Sequence, residues 1–438
     1  MSPIVIGLLG TLVFLMLLAL RMPIAVSMGI VGFVGVSILV SWQAALRVLA
    51  SEIFSNFSSY SLSVTPMFIM MGFFAFHAGI GTKLYRFAYK AIGHFRGGLA
   101  MASVAACAIF GAVSGSSPAT AATIGSIAVP EMEKYKYSSS LAAASVAAGG
   151  GLGIIIPPSV PFVIYGITTE QSISKLFIAG ILPGILLTFL YMAVIWLLGY
   201  RNPSLAPVSS GPRPGFSEVI EALRGVLLDV LVIFALVIGG LFAGWFTPTE
   251  AGGIGAAGVL AVTTLRGDMN WEKFKRALLD TTRTSAMIMF LIAGAMIFTR
   301  FISLSRIPFV IASWASALPL PPFAILFIIL IIYLLLGTII DSIPLILITV
   351  PIFYPVVVDT LGYDPIWFGV IISVIVAMAV ITPPVGVNVY VLKGVAKEVP
   401  LEAIFAKVWP FLLAAILCCI ILVVFPQIVT FFPALLGN

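Results

Sequence analysis

The chain has 438 residues, 61% hydrophobic and 9% charged, with a mean hydropathy of +1.21. Soluble proteins carry about 25% charged residues, so the composition excludes a soluble enzyme or binding module and points to a polytopic all-α membrane protein. A β-barrel is excluded too, because the apolar runs extend over about 17–25 residues instead of alternating over about ten. The net charge of +6 does not signal nucleic acid; it comes from lysine and arginine in loops.

Ile4–Leu20 is the first predicted span, ended by Arg21 and Pro23. No basic residue precedes it and no small-residue cleavage site follows, so it is expected to be a retained helix and not a signal peptide. Ile24–Val40 is the second span. Ser41–Ser59, with Trp42, Arg47, Glu52 and Asn56, suits a helix at the membrane interface. Val64–Ile80 is the third span. Lys83–Arg96 is basic and amphipathic with interleaved aromatics; a membrane-surface helix fits this location better than a calmodulin- or nucleic-acid-binding segment.

Gly97–Val129 is apolar but interrupted at Ser114–Pro118. Each arm has about 15 residues, roughly 22 Å of helix, which is short of the ~30 Å hydrocarbon core. The economical expectation for residues 97–133 is a re-entrant hairpin whose tip stops near mid-membrane; the alternative is two short spans with an outside turn. Leu141–Thr168 is a span broken at Pro157-Pro158 and Pro161 after Gly149–Gly151, and Leu176–Tyr200 closes the first half. The proline-rich stretch from Arg201 forms a linker over residues 201–224.

The second half repeats this order. Gly225–Trp245 and Ala251–Leu265 are predicted spans, Asp268–Arg283 a charged interfacial helix, Ser285–Ile302 a span and Arg306–Leu318 a shorter amphipathic piece. Asp229, near the cytoplasmic end of its span, is expected to make an interfacial or linker contact, and Arg300 and Arg306 to reach the outer headgroups. Pro322–Val358 is a second hairpin interrupted around Asp341–Pro344. Ile366–Leu392 is broken at Pro383-Pro384, and Val408–Thr430 is the last span. Cys107, Cys418 and Cys419 all lie in apolar runs and read as small core residues, not as a disulfide framework or metal site.

The two halves, residues 1–200 and 225–438, correspond in detail. Gly111 matches Gly337, Pro118 matches Pro344, and Pro157-Pro158 matches Pro383-Pro384. Each half has an odd number of full spans, so the second copy enters the membrane from the opposite side: an inverted-topology repeat, as in many secondary transporters. Charge supports one orientation. With both termini outside, the cytoplasmic loops hold most basic residues, among them Arg21, Lys83, Arg86, Lys134, Arg201, Arg276 and Lys393. The outside keeps Arg47, Lys175, Arg300 and Arg306. The first hairpin then opens inward and the second outward.

Broken backbone at lipid depth survives where it lines a cavity. Two hairpin tips and two broken helices related by a pseudo-twofold axis can meet near the midplane and offer oxygen ligands to a hard cation. The first repeat supplies Ser114, Ser116, Ser117, Thr120 and the carbonyls of Pro157, Pro158 and Ser159. The second supplies Asp341, Ser342, Thr382, the carbonyls of Pro383, Pro384 and Gly386, and Asn388. Asp341 is the sharpest candidate, since a carboxylate in a lipid-depth segment is costly unless it faces a cation, a partner or water. The bland alternative places it on an exposed turn, and that of the serines is close helix packing. Ser116, Ser117 and Asn388 are also expected to line the substrate path. Neutral oxygens around one carboxylate favour sodium over protons as the coupling ion. No Walker-type phosphate loop, nucleophile–base constellation or HExxH motif is present, so neither ATP-driven transport nor catalysis is expected.

The motifs GAVSGSSPATAATIGSIAVPEM, GGGLGIIIPPSVPFVIYG, GTIIDSIP and ITPPVGVNVYV, together and in this order, closely resemble the large, DctM-like membrane subunit of tripartite ATP-independent periplasmic (TRAP) transporters. The resemblance covers essentially the whole chain. It implies a sodium-driven importer in a bacterial inner membrane, fed by a periplasmic substrate-binding protein and braced by a small four-helix membrane subunit, here unfused. It further implies an elevator-type displacement of the hairpin-containing domain, and an organic-acid substrate such as a C4-dicarboxylate, keto acid or sialic acid. Carried over, the ion sites fall on Ser114–Thr120, including Gly115, with Pro157–Ser159, and on Gly337–Pro344, including Thr338, with Thr382–Gly386. A stand-alone sodium/carboxylate symporter and, from another class, a channel are the competing expectations.

Overall fold

The computed structural model describes residues 1–207, 215–226 and 232–435. Residues 227–231 of the span expected from Gly225, Asp229 among them, and Pro212 and Pro214 of the linker lie outside them. Among the described residues every regular element is helical. The first half contains α1 (Pro3–Ala19), α2 (Ile24–Leu39), α3 (Trp42–Ser58), α4 (Val64–His77), α5 (Ile80–Ile92), α6 (Gly98–Ser114), α7 (Ser117–Lys134), α8 (Ser139–Ile155), α9 (Val160–Thr169) and α10 (Ile173–Arg201). After α11 (Phe216–Val226) come α12 (Val232–Phe242), α13 (Pro248–Leu265), α14 (Trp271–Leu304), α15 (Ile307–Ala317), α16 (Pro322–Gly337), α17 (Ser342–Tyr354), α18 (Pro365–Ala379), α19 (Val387–Val395), α20 (Leu401–Val424) and α21 (Gln427–Leu435). Among the described residues five stretches are long and apolar enough to cross a membrane, Ser139–Thr169, Ile173–Arg201, Trp271–Leu304, Ser342–Thr360 and Leu401–Val424, and the bent pair Trp42–Ser58 with Ser61–His77 makes a sixth if it counts as one span.

Helix ends follow local chemistry. Ser41, Ser116, Ser172, Asn270 and Asp364 accept backbone N–H bonds as N-caps, and Thr247 with Glu250 forms a reciprocal capping box. The expected breaks occur where glycine and proline cluster, with other bounds: residues 338–341 separate α16 from α17, ahead of the expected Asp341–Pro344, and residues 380–386 separate α18 from α19. Only Gly115 and Ser116 separate α6 from α7, and residues 156–159 separate α8 from α9. Pro161 does not break the helix as expected; it sits in the first turn of α9, where its missing N–H costs nothing. Both double-proline bonds, Pro157-Pro158 and Pro383-Pro384, are cis.

Two expectations are corrected. Asp268–Arg283 and Ser285–Ile302 do not form separate elements; they join in the 34-residue α14. No glycine or proline stands between Arg283 and Ser285, and Thr281 and Thr282 return their hydroxyls to the carbonyls of Ala277 and Leu278, so nothing interrupts the helix. The basic segment Lys83–Arg96 is helical only to Ile92, and its apolar face does not lie on lipid. Ile80, Leu84, Tyr85 and Ala88 are buried, with α5 packed on α6, α7 and α11.

Packing gathers the helices around two centres. At one, α14 lies along α2 and α4, and α4 along α13. The α2–α14 approach is backbone to backbone: a methyl on Gly294 would stand 2.3 Å from the Ala25 carbonyl oxygen, and one on Gly32 would stand 2.7 Å from the backbone of Ile297. Such closeness is the usual basis of helix association in lipid, where hydrophobic burial gives no preference for a neighbouring helix over an acyl chain. At the other centre, α8 is wrapped by α6, α7, α18, α19 and α20. Each half presents the same succession there: a helical hairpin (α6–α7 or α16–α17), a broken helix (α8–α9 or α18–α19) and a long helix (α10 or α20).

Candidate functional site

The first hairpin turns at Gly115, whose φ of +60° is left-handed and so favours glycine. A side chain there would also run into the Pro158 carbonyl oxygen, 2.8 Å from an added methyl. The tip is held by its own hydroxyls. Thr120 donates to the Ser116 carbonyl at 2.7 Å and shares a 2.8 Å hydrogen bond with Ser114. The backbone N–H of Val160 points to the Gly115 carbonyl at 3.5 Å, and Ser159 donates to the carbonyl of Ile154. The structure therefore brings Ser114–Thr120 and Pro157–Ser159 side by side.

The second hairpin is held in a related way. The Thr338 carbonyl accepts from Val385 N–H at 3.2 Å, just after the second double proline. Gly337 leaves no room for a side chain, since an added methyl would stand 2.5 Å from Ala379 Cβ. Thr382 donates to the Met378 carbonyl at 2.7 Å and Gly386 is left-handed at +55°. Gly337–Ser342 and Thr382–Gly386 are thus neighbours through this backbone bond. Asp341 is exposed at the start of α17 and accepts from Ser342 Oγ at 3.3 Å.

Both tips open onto one cavity of about 420 Å³. From the first hairpin it receives Ser114, Gly115, Ser116 and Ser117, and from the second Asp341, Ser342 and Ile343. Ile154, Val160 and Pro161 of the first broken helix complete that side. The opposite wall is Ile69, Gly72, Phe73 and Phe76 of α4 with Thr284, Met287 and Ile288 of α14. Thr120, Pro157, Pro158, Ser159, Gly337, Thr338, Thr382, Pro383, Pro384 and Gly386 stand behind the tips and do not line this cavity.

Asn388, expected on the substrate path, is fully buried away from the cavity. Its amide accepts from Ser117 Oγ at 3.0 Å and donates to the Ala147 carbonyl at 2.8 Å. It ties α7, α8 and α19 together across the two halves, because a buried amide is stable only when paired.

The α4–α14 wall was not anticipated, because an apolar residue facing a cavity has the same sequence signature as one facing lipid. One signal does stand in the sequence: His77 closes the apolar run of α4. It pairs with Asp280 of α14 at 2.8 Å, one turn beyond Phe73 and Thr284, and joins the two helices of the wall. Among the described residues no group of three or more His, Cys, Asp or Glu is arranged to hold a metal ion. Hydroxyls, carbonyls and Asp341 are what the tips offer a cation, a donor set suited to hard ions.

Comparison with known proteins gives matches along nearly the whole chain. The family described as "Tripartite ATP-independent periplasmic transporter, DctM component" matches residues 11–428. The C4-dicarboxylate TRAP transporter large permease protein DctM of Pseudomonas aeruginosa is 39% identical over 412 residues, 93% of this chain and 92% of that protein. The isethionate TRAP transporter permease protein DctMQ of Oleidesulfovibrio alaskensis is 32% identical over 96% of this chain and 65% of its own length. Among solved structures, the YdaH transporter of Alcanivorax borkumensis shares the fold, with a TM-score of 0.62 at 17% identity over 95% of this chain and 98% of that one.

Proposed function

The chain belongs to the DctM family of large permease components of TRAP transporters, and on that premise we propose that it imports an organic acid using a sodium gradient. The observation that carries this proposal is the shared cavity: two hairpin tips from opposite halves of the chain, one bearing Ser114–Ser117 and the other Asp341–Ser342, face a common space against α4 and α14. Sodium sits at the oxygen-rich tips, the first on Ser114–Thr120 with Pro157–Ser159 and the second on Gly337–Ser342 with Thr382–Gly386. Cation charge there offsets Asp341 and attracts the acid's carboxylate, so ion and substrate bind together. The hairpins, broken helices and α20 then move as one body along the α2–α4–α13–α14 framework. That division follows the two packing centres and the close glycine contacts inside the framework.

In this reading the protein lies in a bacterial inner membrane with both termini periplasmic, as the basic loops favour. A periplasmic binding protein delivers the acid, and a small four-helix membrane subunit braces the framework. The fused name and greater length of the isethionate relative support such a subunit. The test is uptake into proteoliposomes holding the chain, the small subunit and, outside, the binding protein. Uptake is expected only with an inward sodium gradient and all three components, and Asp341→Asn is expected to reduce it to background with the protein still folded. Uptake indifferent to sodium would contradict the proposal, and full uptake without the binding protein would make the chain a stand-alone symporter.

A further inference from the structure

We propose that the acid carried is a monocarboxylate with a compact apolar body, such as a branched-chain or aromatic 2-oxo acid, in preference to a dicarboxylate or a polyhydroxylated acid. This rests on the transport function proposed above and concerns which acid fits the cavity. Its walls are sharply unequal. Ile69, Phe73 and Phe76 on α4, Met287 and Ile288 on α14, and Ile343 on α17 make one broad apolar surface. Apart from Thr284 on α14, the polar groups are gathered at the tips, and no lysine, arginine or histidine is among the lining residues.

Even the polar end has little spare capacity. Ser117 donates its hydroxyl to Asn388 and Ser114 shares its own with Thr120. Ser342 turns to Asp341, and Ser116 accepts the backbone N–H of Ala119 at 3.5 Å. Few hydroxyls remain for a ligand beyond those that would meet one carboxylate and its cation. A second carboxylate, or a row of sugar hydroxyls, would lie against phenylalanine and isoleucine with at most the single hydroxyl of Thr284 to meet it, and polar groups buried without partners are strongly disfavoured. An apolar body gains from the same surface, about fourfold in affinity for each methylene buried. On α4, Phe73 stands one turn before His77 and Phe76 directly before it, and the His77–Asp280 pair fixes that helix to α14, so the aromatic wall is held in place before the ligand arrives.

The experiment is direct binding to the purified full-length chain with its small subunit in sodium buffer, without the binding protein, so that only the permease selects. Ligand-induced thermal stabilisation is measured for pyruvate, 2-oxobutyrate, 4-methyl-2-oxopentanoate, phenylpyruvate, succinate and N-acetylneuraminate. Affinity is expected to rise along the 2-oxo acids, by about fourfold per methylene where the body is buried, with succinate and N-acetylneuraminate weakest. Phe76→Ala, at an exposed position, is expected to weaken 4-methyl-2-oxopentanoate by about tenfold while leaving pyruvate nearly unchanged. Phe76→Leu is expected to restore most of the loss. Tighter binding of succinate or N-acetylneuraminate, or affinities that ignore the apolar body or the Phe76→Ala change, would overturn this inference and leave the transporter assignment standing. Binding of no acid in the panel, with or without sodium, would overturn both.

Discussion

Asn388 and Asp341 sit in opposite surroundings and do different work. Asn388 is fully buried with its amide oxygen and nitrogen both paired, so it holds helices; Asp341 is exposed to the cavity with only Ser342 as a partner, so it is free to meet a cation. Replacing Asn388 with alanine leaves the Ser117 hydroxyl buried without its partner and removes the side-chain donor from the Ala147 carbonyl. The expected cost is about 1–3 kcal/mol, read as a lower melting temperature of the purified protein; an unchanged one would show that the tie is dispensable. Asp341 and the serines were legible in the sequence because a polar residue in a long apolar run needs a reason to be there. Phe73, Phe76 and Met287 were not, because lipid and cavity ask for the same side chains and only the fold tells them apart. The role of Asn388 was hidden for a related reason: its partners, Ser117 and the Ala147 carbonyl, come from the other half of the chain.

At the scale of elements, glycine decides which helices can touch. Gly294 and Gly32 let α14 and α2 meet backbone to backbone, whereas Gly29, on the same α2, has nothing within 4 Å of an added methyl. Gly294→Val is therefore expected to destabilise the chain by about 1–3 kcal/mol, because the opposing Ala25 carbonyl is backbone and cannot turn aside. Gly29→Ala is expected to leave the melting temperature unchanged or slightly raised, since alanine is the better helix former. Equal effects at the two sites would mean that the α2–α14 contact is not tight. Hairpins and broken helices were legible from clustered glycine and proline, to within a few residues. The continuity of α14 was not: its charged first half and apolar second half look like two elements, and only the absence of a breaker between Arg283 and Ser285 speaks for one. The amphipathic pattern of α5 was equally plain, yet it could not say that protein, and not lipid, would cover the apolar face.

For the whole molecule, the central claim is that two tips far apart in sequence share one small, ligand-sized space. The order of hairpin, broken helix and long helix in each half was visible in the paired motifs, down to Gly111 with Gly337 and Pro157-Pro158 with Pro383-Pro384. What stands opposite the tips was not visible, because α4 and α14 reach the cavity through residues with no distinguishing chemistry. Ala119 and Ile343 line the cavity from the two hairpins, and neither side chain carries an oxygen that could hold an ion. The most direct measurement is the rate at which a small thiol reagent modifies Ala119→Cys and Ile343→Cys in the assembled transporter, with the native Cys107, Cys418 and Cys419 buried. The account predicts that sodium together with a transported acid slows modification at both positions in parallel. Protection of one position without the other, or rapid modification of both whatever is bound, would contradict it.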